Sequence, residues 1–168
     1  MSNPVIVVKL GGTEGVNFSA ICQDAAALIS QGQCLVLVHG GSSEANQLGE
    51  ALGYPARFIT SPSGFTSRYT DRRTLEIYIM AANGKVNTLL VEQLQRLGVN
   101  ALGLSGLDGR LMIATRKETI QSIENGKRRI IRDDFTGKIE TINTRLLQTL
   151  LDAGYLPVIA PLAVSTAG

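Results

Sequence analysis

The chain has 168 residues, enough for one domain with a sizeable core, and its 44% hydrophobic and 18% charged residues are typical of a globular protein. No apolar run approaches the ~18 residues of a membrane-spanning helix, and the run from Val5 to Leu10 is too short for a signal peptide and contains Lys9. A net charge of +2 does not favour nucleic acid binding. We therefore expect a cytoplasmic protein that binds neither membranes nor nucleic acid.

The cysteines and the histidine exclude several classes of enzyme. Cys22 and Cys34 lack the spacing of a metal site and fall within predicted core elements, which indicates ordinary reduced cysteines. The only histidine, His39, cannot form a catalytic triad by itself, and no HExxH motif is present. We therefore predict no metal site in this sequence.

Strand and helix patterns alternate through the first part of the chain. Apolar, β-branched runs predict buried strands, and apolar residues with helical spacing predict helices. In chain order, the predicted elements are a strand over 4–10, a helix from Asn17 or Ser19 to about Gln31, a strand over 34–38, a helix from Ser43 to about Leu52, a short strand over 57–59, a loop over 60–67, a long helix from Thr70 or Asp71 to Leu97, and a strand over 101–104. The Asn83-Gly84 pair is a point at which the long helix can bend.

The segment over 107–142 has a different pattern. Short apolar runs alternate there with turn signals at Asp108-Gly109, Asn125-Gly126 and Thr136-Gly137, which predicts antiparallel hairpins. A helix from Asn143 to Asp152 and a buried strand over 156–162 follow. The whole pattern predicts an α/β fold, a three-layer αβα sandwich with a mostly parallel sheet and a β-hairpin insert at one edge.

Glycine pairs follow the first two predicted strands. In a parallel sheet the carboxyl ends of the strands share one edge, where ligands bind. Gly11-Gly12 and Gly40-Gly41 each lead from such an end towards a helix, whose N-terminus attracts anions. The pattern indicates either a phosphate or carboxylate site or simple turn geometry. Neither pair fits GxxxxGK[ST] or GxGxxG, so a P-loop and a Rossmann dinucleotide site are not supported.

Two cations are candidates for contacts with such an anion. Lys9 lies in an apolar strand two residues before Gly11, so its ammonium group can reach the glycine turns and stabilise phosphoryl oxygens. Alternatively, Lys9 extends to solvent at the sheet edge. Arg68 lies just before a helix N-terminus, where a guanidinium can bind a carboxylate with two hydrogen bonds; alternatively, it is an exposed loop residue.

Several short segments occur in a characteristic order over essentially the whole chain: VVKLGG at 7–12, VHGGS at 38–42, RYTD at 68–71, GVNA at 98–101, GLSGLDG at 103–109 and GYLPVI at 154–159. In this order they resemble the amino acid kinase family, in its acetylglutamate kinase branch. Three further segments are similar to the [LysW]-aminoadipate/[LysW]-glutamate kinases within that branch: GTEG at 12–15, RYTDRRTLEIYIM at 68–80 and IIRDDFTGK at 130–138.

The resemblance implies a role for each candidate residue. Lys9 would stabilise the transferring phosphoryl group, and Gly11-Gly12 would approach the γ-phosphate of ATP. The amides of Gly40-Gly41 would bind the carboxylate that is phosphorylated. Arg68 would bind the other carboxylate of the amino acid.

The implied reaction is phosphoryl transfer from ATP, which carries Mg²⁺, to the side-chain carboxylate of carrier-bound 2-aminoadipate or glutamate. It gives an acyl phosphate in lysine or arginine biosynthesis. Because that carboxylate is already nucleophilic at neutral pH, catalysis would depend on alignment and charge stabilisation rather than on a general base. The implied partners are the small-molecule amino acid acceptor, an acidic LysW-type amino-group carrier protein near the basic run from Lys127 to Arg132, and a second copy of the chain at the long helix, forming a homodimer.

Members of the family continue past the last predicted strand into an Asn/Asp-containing segment and an ATP-binding half with a second catalytic lysine, none of which is in this sequence. We therefore expect chain 1–168 to be the N-terminal acceptor-binding lobe of a longer protein, with little activity by itself. The alternatives are an N-acetylglutamate kinase of arginine biosynthesis, a non-catalytic acceptor-binding or regulatory module, and an unrelated nucleotide-binding α/β protein. The sequence does not choose between aminoadipate and glutamate, which differ by one methylene.

Overall fold

The computed structural model describes residues 4–124 and 126–166. Its strands are β1 (Val5–Leu10), β2 (Cys34–His39), β3 (Phe58–Thr60), β4 (Thr66–Arg68), β5 (Ala101–Ser105), β6 (Met112–Arg116), β7 (Ile120–Glu124), β8 (Lys127–Ile131), β9 (Gly137–Ile142), β10 (Leu156–Ala160) and β11 (Val164–Ser165). Its α-helices are α1 (Phe18–Ser30), α2 (Ser42–Ala51), α3 (Arg72–Ile79), α4 (Thr88–Arg96) and α5 (Thr144–Asp152). A π-helical segment, Met80–Asn87, joins α3 directly to α4.

Helix starts follow the capping signals in the sequence. The side chain of Asn17 accepts a hydrogen bond from the Ala20 amide at 3.1 Å, so Asn17 rather than Ser19 caps α1. Asp71 caps α3 and Asn143 caps α5 in the same way. The expected starts of these helices are confirmed to within a residue.

The central sheet contains β1, β2, β10 and β5 in that order, and every neighbouring pair is parallel. One face packs against α1 and α4 through a core that includes Cys22, Leu37, Leu90 and Leu94. The other face packs against α5 through a smaller core around Ile159. The predicted αβα sandwich with a mostly parallel sheet is confirmed.

The first strand differs from the expectation of a strand covered on both faces. Side chains alternate along β1, so Leu10 and Val8 face α1 and α4, whereas Val5, Val7 and Lys9 face the other side. Val7 is 65% exposed there. The expectation is wrong for this face because β1 is the edge strand and the α5 core reaches only the neighbouring strands.

The stretch predicted as a loop over 60–67 contains a second strand. β4 pairs antiparallel with β3, with Thr60 opposite Thr66 and Phe58 opposite Arg68. The short turn between them is held by hydrogen bonds to the Ser61 hydroxyl group. Serine, proline and glycine in the turn concealed the hairpin because β4 itself, Thr-Ser-Arg, has little apolar character.

The predicted hairpin insert is confirmed only in part. β7 and β8 form an antiparallel hairpin on either side of the Asn125-Gly126 turn signal, of which Asn125 lies outside the described residues. Thr136-Gly137, however, does not close a hairpin, because β9 pairs with β6 and not with β8. The chain turns there around the Asp134 carboxylate, which is 1% exposed and accepts hydrogen bonds from the amides of Thr70 and Thr136. That buried carboxylate ties the insert to the start of α3.

Candidate functional site

The two glycine turns meet at the carboxyl edge of the central sheet. The Gly40 amide donates a hydrogen bond to the Leu10 carbonyl at 3.0 Å, and the Ser43 amide donates one to the Gly12 carbonyl at 2.8 Å. A Cβ atom at Gly12 would lie 2.5 Å from the Gly41 nitrogen, and one at Gly40 would lie 2.6 Å from the Gly12 Cα atom. The turns therefore pack backbone against backbone, which only glycine permits.

Gly41 lies at the start of α2, where the helix dipole favours an anion. It caps the helix without a side-chain hydrogen bond, and of the first-turn amides that of Ser43 is bonded to the Gly12 carbonyl. Behind it, Ala82 of the π-helical segment would contact a Cβ atom at Gly41 at 3.0 Å. The backbone at the turn is consequently held on both sides.

Arg68 lies beside this turn and is not an isolated loop residue. Its Nη2 atom donates a hydrogen bond to the Ser42 carbonyl at 3.1 Å, and its guanidinium lies 5.6 Å from the centre of the Phe58 ring. Burial lowers the pKa of the Arg68 guanidinium, although the group remains charged at neutral pH. The structure thus places Arg68 next to the Gly40-Gly41 turn, close enough for both to contact one ligand.

Tyr78 is a site residue that the sequence did not single out. Burial raises the pKa of its hydroxyl group, and both the Arg68 guanidinium and a hydrogen bond with the Gly41 backbone oppose that rise. Tyr78 lies one helical turn before Ala82, on the same side of the helix. Its position within RYTDRRTLEIYIM was the only signal available, because a tyrosine in an amphipathic helix is usually a packing residue.

Lys9 is near the turns along the chain but makes no contact with them. It is exposed, it is registered opposite Val38, and it forms no ion pair or side-chain hydrogen bond with the residues described. The structure therefore assembles Gly11, Gly12, Gly40, Gly41 and Arg68 and leaves Lys9 reaching into solvent one residue before the end of β1. Its expected contact with phosphate remains a prediction.

Within residues 4–124 and 126–166, no three histidine, cysteine, aspartate or glutamate side chains form a group that could hold a metal ion. None of the helices in these ranges is long and apolar enough to cross a membrane. The polar groups beside the Gly40-Gly41 turn include backbone amides, the Tyr78 hydroxyl and the Arg68 guanidinium. Such a set is suited to a ligand that carries carboxylate or phosphate groups.

Known proteins of similar sequence include two [LysW]-aminoadipate kinases and an acetylglutamate kinase. The chain is 56% identical over 164 residues to a [LysW]-aminoadipate kinase of Deinococcus radiodurans, an alignment that covers 98% of this chain and 56% of that protein. It is 55% identical over 161 residues to a [LysW]-aminoadipate kinase of Thermus thermophilus, with 96% of this chain and 60% of that protein covered. An acetylglutamate kinase of Methanocorpusculum labreanum is 41% identical, in an alignment that covers 97% of this chain and 55% of that protein. The chain thus spans less than two thirds of the length of these relatives.

Solved structures agree on the fold. The protein smu.665 of Streptococcus mutans has a TM-score of 0.71 at 24% identity, over 98% of this chain and 61% of that one. A carbamate kinase of Giardia lamblia bound to AMP-PNP has a TM-score of 0.60 at 11% identity, over 98% of this chain and 62% of that one. The model of the amino acid kinase family matches residues 4–168. This chain belongs to the amino acid kinase family.

Proposed function

We propose that the complete protein phosphorylates the side-chain carboxylate of 2-aminoadipate or glutamate bound to a carrier protein of the LysW type. An acceptor oxygen forms a bond to the γ-phosphorus of ATP as the bond to the β-phosphate oxygen breaks, which gives an acyl phosphate and ADP. The observation that carries the proposal is the 55–56% identity to [LysW]-aminoadipate kinases over nearly the whole chain. In this proposal, the chain is the lobe that binds the acceptor.

The convergence of Arg68, Tyr78 and the Gly40-Gly41 turn supports an acceptor site. The reacting carboxylate would accept hydrogen bonds from the glycine amides at the start of α2. Arg68 would bind the second carboxylate of the amino acid, at a distance set by its hydrogen bond to the Ser42 carbonyl. Holding both ends of the acceptor aligns its carboxylate for in-line attack, which is the main task of a phosphoryl-transfer site.

The nucleotide would approach from the Gly11-Gly12 side. Gly12 itself packs closely against the backbone of Gly40 and Gly41, which holds the two turns together. A phosphate would therefore approach from the other side of the Gly11-Gly12 turn. Lys9, with its ammonium group exposed, would offset the charge that develops on the phosphoryl oxygens. Mg²⁺ would arrive with ATP, which supplies most of its ligands.

The β7–β8 hairpin offers a surface for an acidic carrier protein. Because side chains alternate along a strand, Arg128 and Ile130 share one face with Ile123, which is registered opposite Arg128. Ile130 is 58% exposed and Ile123 is 37% exposed on this docking face. Arg129 points to the other face, where it pairs with Glu124 at 3.1 Å. On one face of the hairpin, Arg129 is therefore engaged in an ion pair. The docking face, on the opposite side, presents the positive charge of Arg128 beside the exposed side chains of Ile123 and Ile130.

A second copy of the chain is a further proposed partner. Met80, Leu89 and Leu97, on the continuous helical stretch of α3, the π-helical segment and α4, are each 44–47% exposed. Apolar side chains on one long helix are typical of a surface that packs against another protein. We expect the complete protein to be a homodimer that buries them.

An N-acetylglutamate kinase is the second candidate function, favoured by the 41% identity to the acetylglutamate kinase of Methanocorpusculum labreanum. Trapping of acyl phosphate with hydroxylamine distinguishes the two. The complete protein is given ATP, Mg²⁺ and, in parallel, carrier-linked aminoadipate, carrier-linked glutamate and free N-acetylglutamate. We expect hydroxamate from a carrier-linked acceptor, and product from the free amino acid would assign the protein to arginine biosynthesis instead.

A non-catalytic binding module is the remaining alternative. It predicts that no acceptor yields hydroxamate with the complete protein, while carrier-linked acceptors still bind. Chain 1–168 is the control in the same assay. We expect it to give little or no product, because the acceptor lobe has no second set of phosphate ligands among its proposed site residues.

A further inference from the structure

A buried polar pair lies directly behind the Gly40-Gly41 turn. His39, the last residue of β2, is 1% exposed, and Asn87, the last residue of the π-helical segment, is 7% exposed. The Asn87 Nδ2 atom lies 3.0 Å from the His39 Nε2 atom. Neither side chain belongs to the proposed acceptor site, and a buried polar pair needs a reason to be retained in a core.

The hydrogen bonds of this pair define the protonation of His39. Its Nδ1 atom lies 2.9 Å from the Gly40 carbonyl oxygen, which can only accept, so Nδ1 carries the hydrogen. Asn87 donates from Nδ2 to the Val158 carbonyl at 2.9 Å and, with its second hydrogen, to His39 Nε2. His39 is therefore the neutral Nδ1–H tautomer, assigned from the pattern of donors and acceptors. Burial lowers the pKa of His39, in accord with that neutral form.

Asn87 is fixed in this orientation from a second side. A Cβ atom at Gly103 would collide with the Asn87 Oδ1 atom, so the amide packs closely against β5 at this glycine. Through its hydrogen bonds the same side chain reaches β2 and β10. A single side chain thus lies against three neighbouring strands of the central sheet, at the last residue of β2 and the middle residues of β10 and β5.

The π-helical segment brings both supports to the turn. It places Ala82 against the Gly41 backbone and Asn87 against His39, five residues further along. A π-helical register is unfavourable relative to an α-helix and recurs at functional sites. Here it lets one helix contact the glycine turn and the strand that precedes it at the same time.

The planarity of the peptide bond links His39 to the ligand side of the turn. The Gly40 carbonyl and the Gly41 amide belong to one peptide unit, and no cis peptide bond occurs among the residues described. In a trans unit the C=O and N–H bonds point in opposite directions. Because the His39 Nδ1–H group holds the carbonyl, it also sets the direction of the Gly41 N–H group.

We propose that His39 and Asn87 are positioning residues that hold the Gly40-Gly41 peptide, so that its N–H group faces the side of the turn where Tyr78 lies and the acceptor carboxylate would bind. The proposal rests on the proposed function, because it takes the Gly40-Gly41 turn as the acceptor site. The pair does not touch the substrate. It acts through the Gly40-Gly41 peptide, where two successive glycines lack the side chains that restrict the backbone elsewhere.

Steady-state kinetics of the complete protein test this role with two substitutions at one position. His39→Leu removes the donor to the Gly40 carbonyl, whereas the Nδ2 group of His39→Asn can replace Nδ1–H. We expect His39→Leu to raise KM for the carrier-linked acceptor about tenfold, as the loss of an oriented hydrogen bond would. KM for ATP should stay within about twofold, and His39→Asn should recover most of the acceptor affinity. Equal defects in both variants, or parallel changes in both KM values, would overturn the proposal.

The histidine tautomer is a second measurement, and it does not depend on turnover. Nitrogen-15 imidazole shifts of the complete protein, assigned by the signals that vanish in His39→Asn, should report a neutral Nδ1–H ring near pH 7. An Nε2–H tautomer or a charged ring would overturn the proposal. If the unsubstituted protein makes no acyl phosphate, the proposed function fails in the kinetic assay, and the tautomer still decides whether His39 holds the Gly40 carbonyl.

Discussion

At Gly12 the side chain is excluded by a neighbouring backbone rather than by an unusual φ angle. The nearest atoms to a Cβ there would be the Gly41 nitrogen at 2.5 Å and the Gly40 carbonyl carbon at 2.7 Å. Main-chain atoms in a hydrogen-bonded turn cannot move aside as a flexible side chain can. The glycine is needed for the close packing of the two turns, whichever ligand they bind.

Gly12→Ala is therefore expected to lower the free energy of unfolding by about 1–3 kcal/mol, the usual range for overpacking. It should also raise KM for both substrates, because the turns separate. Gly84→Ala is the matched control, since a Cβ atom there meets nothing within 4 Å and alanine favours a helix. Urea denaturation and steady-state kinetics measure the two effects. Equal stability of Gly12→Ala and the unsubstituted protein would contradict the packing argument.

Sequence reasoning identified some site residues and missed others for physical reasons. The glycine pairs were visible because each follows a predicted strand and leads towards a predicted helix. Tyr78 was not, because the sequence does not reveal which helical side chain faces a turn far away in the chain. Lys9 was identified with two possible environments, and the structure shows the exposed one at the sheet edge. The sequence could not choose between them, since strand patterns do not reveal which strand lies at the edge of a sheet.

Among the secondary structure elements, those with clear periodicity and caps were predicted and those defined by long-range pairing were not. The capping groups Asn17, Asp71 and Asn143 fixed three helices. The pairing of β6 with β9 across the β7–β8 hairpin leaves no local mark in the sequence, and neither does a π-helical register. Asn83-Gly84 marked the right place but indicated a bend rather than a change of helix type.

The β7–β8 hairpin is the element on which the carrier proposal can be tested. Reversal of Arg128 to glutamate, on the docking face, should raise KM for a carrier-linked acceptor roughly three- to tenfold, because one attraction becomes a repulsion. The effect should shrink as salt is added. Arg145→Glu, an exposed reversal on α5, is the matched control for net charge. An unchanged KM for Arg128→Glu at low salt would remove the hairpin from the docking surface.

For the molecule as a whole, the alternation of buried strands and amphipathic helices was enough to predict the αβα sandwich. Strand order was beyond such reasoning, because β10 lies between β2 and β5 although it comes last among them in the chain. That order places the ends of β1 and β2 side by side, and it places β10 next to β2, where Asn87 contacts it. The candidate site is thus built from segments that are distant in the chain. The ordered set of family segments predicted the family, which local patterns alone did not.

The account depends most on one claim, that the acceptor binds between Arg68 and the Gly40-Gly41 turn. The direct measurement is KM for the carrier-linked acceptor and for ATP in Arg68→Gln of the complete protein, with Arg96→Gln on the exposed end of α4 as control. Loss of a charged hydrogen-bond donor predicts a rise in acceptor KM of about 10- to 100-fold, with KM for ATP nearly unchanged. An unchanged acceptor KM in a folded Arg68→Gln protein would contradict the account.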